Sequence, residues 1–99
     1  MTDLVAAALR FVRSPDYRDL SLRQLALLGI VAGSEGPHHV RDLARDMGVA
    51  KPVVTRAVQK LKALGLVTHA RSGPDRRDCL VSATDLGRTL RATFAQESA

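Results

Sequence analysis

The sequence predicts a mainly α (α+β) fold: a winged helix-turn-helix of about five helices with a two-stranded β-wing. Apolar residues recur at helical spacing in several segments. Two of these segments are joined by the short turn Gly48-Val49-Ala50, which is typical of helix-turn-helix pairs. Two short apolar runs, at 66–70 and 79–82, flank a basic tip that contains Gly73 and Pro74, and this pattern predicts the β-ribbon of a wing.

The first two predicted helices precede the glycine turn. Residues 2–13 carry apolar side chains three and four positions apart, and the pattern stops before Pro15. Ser21 and Gln24 have the spacing of a capping box, which predicts that the second helix begins at Leu22. Apolar residues lie almost all round this second helix, so we expect it to occupy a central position in the core.

Three further helices are predicted by their caps and apolar stripes. Gly48 stands where the third helix needs a left-handed residue at its end, and Pro52 suits the first turn of the fourth. The inward-facing stripe of the fourth helix is predicted to be Val54, Ala57, Val58, Leu61 and Leu64. The last helix is predicted over 84–97 with Thr84 as its cap, and a minimal strand is expected around 38–40.

The length and composition favour a single globular domain over residues 1–99. A chain of 99 residues can bury one modest core, and 45% hydrophobic with 25% charged residues is typical of folded proteins. No apolar run approaches the roughly 18 residues of a membrane span, and no secretory signal opens the chain. The single cysteine, Cys79, excludes an internal disulfide. We therefore expect a cytoplasmic protein without a membrane partner.

The charge balance favours a polyanionic partner. Lys and Arg total 15 against 10 for Asp and Glu, which gives a net charge of +5. Aromatic residues are only 3% and Trp is absent, so the base-stacking surfaces of single-strand binders are missing and double-stranded DNA is the predicted partner. No phosphate-cradling glycine motif is present, and His38-His39 with the distant His69 and Cys79 do not match a zinc site. We expect no enzyme activity, no metal and no cofactor.

The fourth helix carries the predicted DNA-binding face. If its apolar stripe is buried, helical geometry turns a basic face outward, towards the major groove. Arg56 and Gln59 have side chains that can read base edges, Thr55 suits a base or a phosphate, and the lysines suit phosphates. The residues predicted to bind DNA from this helix are Lys51, Pro52, Thr55, Arg56, Gln59 and Lys60. An ordinary solvated helix face is the alternative.

Three stretches resemble the MarR family (multiple antibiotic resistance regulators) of bacterial transcription factors. They are Arg41-Asp42-Leu43-Ala44-Arg45-Asp46-Met47-Gly48-Val49, Leu61-Lys62-Ala63-Leu64-Gly65-Leu66-Val67, and Asp75-Arg76-Arg77 with Leu80, Thr84 and Gly87 downstream. The acidic-x-Arg wing followed by Thr-x-x-Gly is the specific part. The resemblance implies that Arg77 reaches the minor groove or its flanking phosphates and that Asp75 pairs with a nearby cation. Arg71 and Arg76 would add contacts to the DNA backbone.

The terminal helices, over 2–13 and 84–97, are candidate dimer elements. The resemblance implies a homodimer formed through N- and C-terminal helices, which are short in this sequence. The candidate interface residues are Leu4, Val5, Leu9, Val12, Leu86, Leu90 and Phe94, and burial in the protomer's own core is the alternative. No small-molecule effector follows from the resemblance, so the effector is unknown.

The leading hypothesis is a sequence-specific transcriptional regulator that binds a pseudopalindromic duplex as a dimer. A winged-helix protein-interaction module within a larger complex is the alternative, and it predicts little affinity for DNA. The sequence leaves open the operator, the regulated genes, repression or activation, and any redox role of Cys79.

Overall fold

The computed structural model describes residues 3–71 and 79–95. The elements, in chain order, are α1 (Leu4–Arg13), α2 (Leu22–Ala32), β1 (His38–His39), α3 (Val40–Met47), α4 (Lys51–Ala63), β2 (Val67–Arg71), β3 (Cys79–Ala83) and α5 (Asp85–Ala95). This order confirms the winged helix-turn-helix fold predicted from the sequence, including the minimal strand before α3.

The sheet has three antiparallel strands in the order β1-β3-β2. The two strands of the predicted ribbon pair from Val67 opposite Ala83 to Arg71 opposite Cys79. β1 pairs with the other edge of β3, where His38 lies opposite Val81. The expected two-stranded wing is therefore part of a larger sheet, because β1 supplies hydrogen-bonding partners to an edge that would otherwise stay open.

The start of each terminal helix is set by a polar cap. α1 begins at Leu4, later than the predicted residue 2, because the Asp3 carboxylate accepts a hydrogen bond from the Val5 N–H at 3.2 Å. α5 begins at Asp85 with Thr84 as the capping residue, since the Gly87 N–H donates to Thr84 Oγ1 at 3.0 Å. The predicted extension of α5 to residues 96 and 97 lies outside the described residues.

α2 forms the centre of the core, as predicted. It begins at Leu22, and both bonds of the capping box are present: Ser21 N donates to Gln24 Oε1 at 2.9 Å, and Gln24 N donates to Ser21 Oγ at 3.2 Å. α2 contacts α3, α4, α5 and β3. Its fully buried side chains are Leu27, Leu28 and Val31.

The apolar stripe of α5 belongs to this core, which corrects one sequence-based expectation. Leu90 has no exposed surface, so its predicted role at a dimer interface is wrong: the protomer's own core already covers it. Leu86 and Phe94 are half-buried and pack against the same core. The Phe94 ring meets Phe11 of α1 edge to face at a centroid distance of 5.5 Å, which ties α1 to α5.

α1 differs from α5 because its apolar stripe faces away from the core. Leu4, Val5, Leu9 and Val12 are 73%, 63%, 43% and 54% exposed, whereas Phe11, at the edge of this stripe, is buried. This half of the predicted interface is therefore open on the protomer. Among the described residues, no helix combines the length and the apolar character that crossing a membrane requires.

Candidate nucleic-acid interface

The turn between α3 and α4 sets the position of the predicted DNA-binding helix. α3 ends at Met47 and is capped by Gly48, whose φ of 68° is left-handed. The Gly48 N–H donates to Arg45 O at 3.2 Å and the Val49 N–H donates to Ala44 O at 3.0 Å, so these carbonyls at the C-terminal end of α3 have internal partners. Pro52 then lies in the first turn of α4, as predicted.

The exposure pattern of α4 agrees with the predicted stripe. Its apolar residues Val54, Ala57, Val58 and Leu61 are buried and Leu64 is half-buried. The exposed side chains on the other faces are Lys51, Pro52, Thr55, Arg56, Gln59, Lys60 and Lys62. Every DNA-binding residue predicted on this helix is thus accessible, and their contact with DNA stays a prediction.

The exposed face of α4 carries cations without internal partners. Lys51, Arg56, Lys60 and Lys62 are its four charged residues, and the helix has no acid. Within residues 3–71 and 79–95, no ion pair or side-chain hydrogen bond is found for any of the four. Their mutual repulsion would be relieved by an external polyanion.

The beginning of α4 adds to this positive field. Its cap residue, Ala50, has no side chain that can accept a hydrogen bond from the first turn. The helix dipole therefore keeps its positive end open beside Lys51. The Thr55 hydroxyl donates back to the Lys51 carbonyl at 3.2 Å, which leaves the Thr55 methyl group and both lone pairs of its oxygen for an external contact.

The end of α4 is joined rigidly to the sheet. Gly65 adopts a φ of 78°, its N–H donates to Lys62 O at 3.0 Å, and the Leu66 N–H donates to Leu61 O at 2.9 Å. Thr84 Oγ1 then donates to Gly65 O at 2.7 Å. These bonds fix the direction in which β2 leaves the helix.

The Thr-x-x-Gly part of the family resemblance has a structural role in this joint. Thr84 Oγ1 accepts a hydrogen bond from the Gly87 N–H while it donates to Gly65, so one hydroxyl links two elements. A Cβ at Gly87 would overlap the carbonyl oxygen of Leu66. The threonine and the glycine therefore hold α5 against the exit of α4.

The described part of the wing consists of its two strands, β2 and β3. The backbone of Arg71 closes β2 opposite Cys79. Asp75, Arg76 and Arg77 lie outside the described residues, so their predicted contacts stay predictions. β2 follows α4 directly through the fixed joint at Gly65, and β3 leads back from the tip beside it.

A hollow of about 220 Å³ beside α4 was missed by sequence reasoning. It lies between the beginning of α2 and one side of α4 and is lined by Ser21, Arg23, Gln24, Val53, Arg56 and Ala57. The sequence indicated a capping role for Ser21 and Gln24 and no role for Arg23. The sequence did contain a signal for Arg23. A cation in the first turn of a helix is disfavoured by the helix dipole, and its presence there indicates a role such as binding an anion.

The histidines and the cysteine form no site of their own in the described part of the chain. No cluster of three or more His, Cys, Asp or Glu side chains is close enough there to hold a metal ion. The Ser34 hydroxyl lies 3.2 Å from His38 Nε2. Cys79 is a half-buried free thiol in β3.

Known proteins similar to this chain include a protein family and a curated relative. The MarR family profile matches residues 18–78. The HTH-type transcriptional repressor NsrR of Streptomyces coelicolor is 34% identical over 79 residues, which cover 80% of this chain and 51% of that protein. The chain therefore spans about half the length of this curated relative.

Two solved structures extend the comparison to the fold. A transcriptional regulator of the MarR family from Rhodococcus sp. RHA1 is 28% identical with a TM-score of 0.74, over 93% of this chain and 61% of that one. Streptococcus pneumoniae FabT, solved in complex with DNA, is 19% identical with a TM-score of 0.80, over 94% of this chain and 64% of that one. At 19% identity, the similarity to FabT shows a shared fold and nothing further.

Proposed function

We propose that this chain, which belongs to the MarR family, is a sequence-specific transcriptional regulator that binds double-stranded DNA. The observation that carries the proposal is the face of α4, where four exposed cations have no acid on their own helix. NsrR is a repressor and FabT was solved with DNA, and both facts support extending DNA binding to this chain. The proposed activity is binding without catalysis, in the cytoplasm.

In the proposed complex α4 lies in the major groove and the wing approaches the minor groove. Gln59 lies near the middle of the outward face, where its amide can pair with an adenine edge. Lys51 and Lys60 flank it and suit the phosphates on either side. The wing residues Arg71, Asp75, Arg76 and Arg77 would contact the minor groove and its backbone, as the family resemblance implies.

We also propose that two copies associate through the exposed apolar stripe of α1. Four large apolar side chains on one face of a ten-residue helix form a contiguous patch, unlike single exposed residues scattered over a surface. A two-fold dimer would place two α4 helices about one turn of DNA apart, roughly 34 Å. Leu4, Val5, Leu9 and Val12 would lie at the interface.

The dimer is tested by comparing Leu9→Glu with Leu22→Glu. Both leucines are exposed, Leu9 on the α1 stripe and Leu22 on α2, outside the stripe. Sedimentation should show a dimer for the native chain and for Leu22→Glu, and a monomer for Leu9→Glu. A dimer for all three proteins would remove α1 as the interface.

DNA binding is tested by fluorescence anisotropy at low and physiological salt. The duplexes are the DNA upstream of the chain's own gene and an unrelated sequence, and Arg77→Ala is measured in parallel. We expect salt-dependent binding that prefers the upstream duplex and weakens in the variant. Absence of binding by the native protein even at low salt would reject the proposal and favour the protein-interaction module.

A further inference from the structure

The hollow between α2 and α4 brings together two arginines from different elements. Arg23 lies in the first turn of α2, and Arg56 lies on the side of α4 that faces α2. Both side chains are exposed at the mouth of the hollow. Its other lining residues in the described part of the chain are Ser21, Gln24, Val53 and Ala57, none of which carries a carboxylate.

Neither arginine has a partner within the described residues, and this sets the pair apart from arginines elsewhere in the fold. Arg45 lies 3.5 Å from Asp42 and 3.7 Å from Asp46. Arg91 donates to the Gly29 carbonyl at 3.1 Å. Arg23 and Arg56 make no comparable bond to a carboxylate or a carbonyl within residues 3–71 and 79–95.

The position of Arg23 is unfavourable for the isolated protein. The positive end of a helix dipole disfavours a cation in the first turn, and α2 has no acid there to offset it. Arg56 adds a second positive charge across the hollow. An anion seated between the two guanidinium groups would remove both penalties, and a guanidinium group offers paired donors that match a phosphate.

The hollow is continuous with the proposed DNA-binding face. Helical geometry places Arg56 and Lys60, four residues apart, along the same side of α4, next to Gln59 at the centre of the outward face. A duplex with α4 in its major groove has a sugar-phosphate strand on each flank of the helix. The strand on the α2 side would pass over the mouth of the hollow.

We propose that Arg23 and Arg56 together bind one phosphodiester of the duplex backbone, so that α2 contributes a DNA contact outside the recognition helix and the wing. The site rests on the proposed DNA-binding function. It also changes the role of Arg56, which the sequence favoured as a base reader: Arg56 clamps the backbone from the side, and base preference comes from Gln59 and Thr55. Phosphate contacts of this kind set the register of α4 in the groove.

The test uses the full chain with four variants: Arg23→Gln, Arg56→Gln, the double variant, and Arg88→Gln as a control. Arg88→Gln removes the same charge from the exposed surface of α5. Affinity for the preferred and an unrelated duplex is measured across a salt series, together with the melting temperature of each protein. One arm replaces chloride by inorganic phosphate at equal ionic strength.

We expect Arg23→Gln to lower the affinity for both duplexes by a similar factor of about 3 to 10. The slope of log K plotted against log salt concentration should become shallower by about 0.9, the value for one phosphate. Arg56→Gln should do the same. Because both arginines hold one phosphate, the slope of the double variant should stay near that of each single variant. The melting temperature of Arg23→Gln should equal or exceed that of the native protein.

Four results would overturn the inference. Arg23→Gln could match Arg88→Gln in affinity and slope while the native protein binds DNA. The proposal of a DNA-binding regulator would then stand, and the proposed phosphate site at Arg23 and Arg56 would be rejected. If the slope losses of the single variants add in the double variant, the arginines hold separate phosphates. If free phosphate raises the native melting temperature but not that of the double variant, while duplex affinity is the same in both, the hollow is a small-anion site. Absence of DNA binding by the native protein would reject both proposals.

Discussion

The helices α4 and α5 differ in whether their charged side chains have partners within the described part of the protein. Each carries one exposed arginine, and each buries an apolar stripe in the same core. On α5, Arg88 Nη1 pairs with Asp85 Oδ1 at 3.2 Å, and Arg91 Nε donates to the Gly29 carbonyl at 3.1 Å. On α4 the four cations have no such partners in the described part of the chain.

This difference separates structural charge from charge that is available to a ligand. Arg91 crosses from α5 to α2, and a Cβ at Gly33 would crowd its guanidinium group, so this arginine is part of the packing. An arginine held in this way has fewer donors left for an external anion. Within the described residues, the α4 cations keep all of their donors. Substitutions on α5 should therefore change stability, and substitutions on the outward face of α4 should change DNA binding.

The largest effect is expected from Gly87→Ala, which tests the packing of α5. The new methyl group would overlap the Leu66 carbonyl, and we expect a loss of about 3 kcal/mol in the free energy of unfolding. Thermal denaturation should show a melting temperature lower by about 12 °C or more. Duplex affinity measured well below this transition should be close to native, because the α4 face is unchanged.

Gly29→Ala provides a matched control in α2. Among the described residues, a Cβ there would meet Phe94 Cε2 alone, at 3.8 Å, which is an ordinary contact. Replacing a glycine inside a helix by alanine should then stabilise the protein by up to about 1 kcal/mol. Equal losses for Gly29→Ala and Gly87→Ala would show that helix interiors in general, and not the Leu66 contact, limit substitution.

The next effect is expected from Gln59→Ala on α4, which tests base recognition. Loss of a paired contact to an adenine edge should cost about 1–3 kcal/mol on the preferred duplex. Affinity for an unrelated duplex should stay within about twofold, because phosphate contacts remain. The melting temperature should not fall, since the side chain is exposed and alanine favours helix. An equal loss on both duplexes would assign Gln59 to the backbone instead.

Much of the α4 face could be predicted because helical periodicity is a local property. The burial of Val54 and Leu61 follows from their spacing, and the exposure of Arg56 and Gln59 follows from the same geometry. The start of α2 was predictable for a similar reason, since the capping box involves residues only three positions apart.

The contrast between α1 and α5 was not predictable from such patterns. Both helices show an apolar stripe of similar spacing, and both were candidate interface elements. Tertiary packing separates them: Leu90 is covered by the core, while Val5, Leu9 and Val12 stay exposed because α1 docks through the flank that carries Phe11. The pairing of Arg23 with Arg56 was missed for the same reason, because only the fold brings α2 beside α4.

A smaller and more general effect is expected from Lys60→Ala on α4. The lysine has no internal partner in the described residues, so its removal should change stability by only about 0.5 kcal/mol, chiefly through the lost cation at the helix end. Both duplexes should bind more weakly by a similar factor, and the salt slope should become shallower by about 0.9. A salt titration of both duplexes measures this. A loss confined to the preferred duplex would mean that Lys60 reads bases.

The smallest effect is expected from Arg88→Gln on α5. Its ion pair with Asp85 lies on the surface, with the two side chains 54% and 105% exposed, and such pairs contribute little because water screens them. Thermal denaturation should show a loss below about 1 kcal/mol. Duplex affinity should stay within about twofold and the salt slope should match that of the native protein, because Arg88 neutralises no phosphate. A slope reduction as large as that of Lys60→Ala would place α5 against DNA. It would contradict the assignment of DNA binding to α4 and of a structural role to α5.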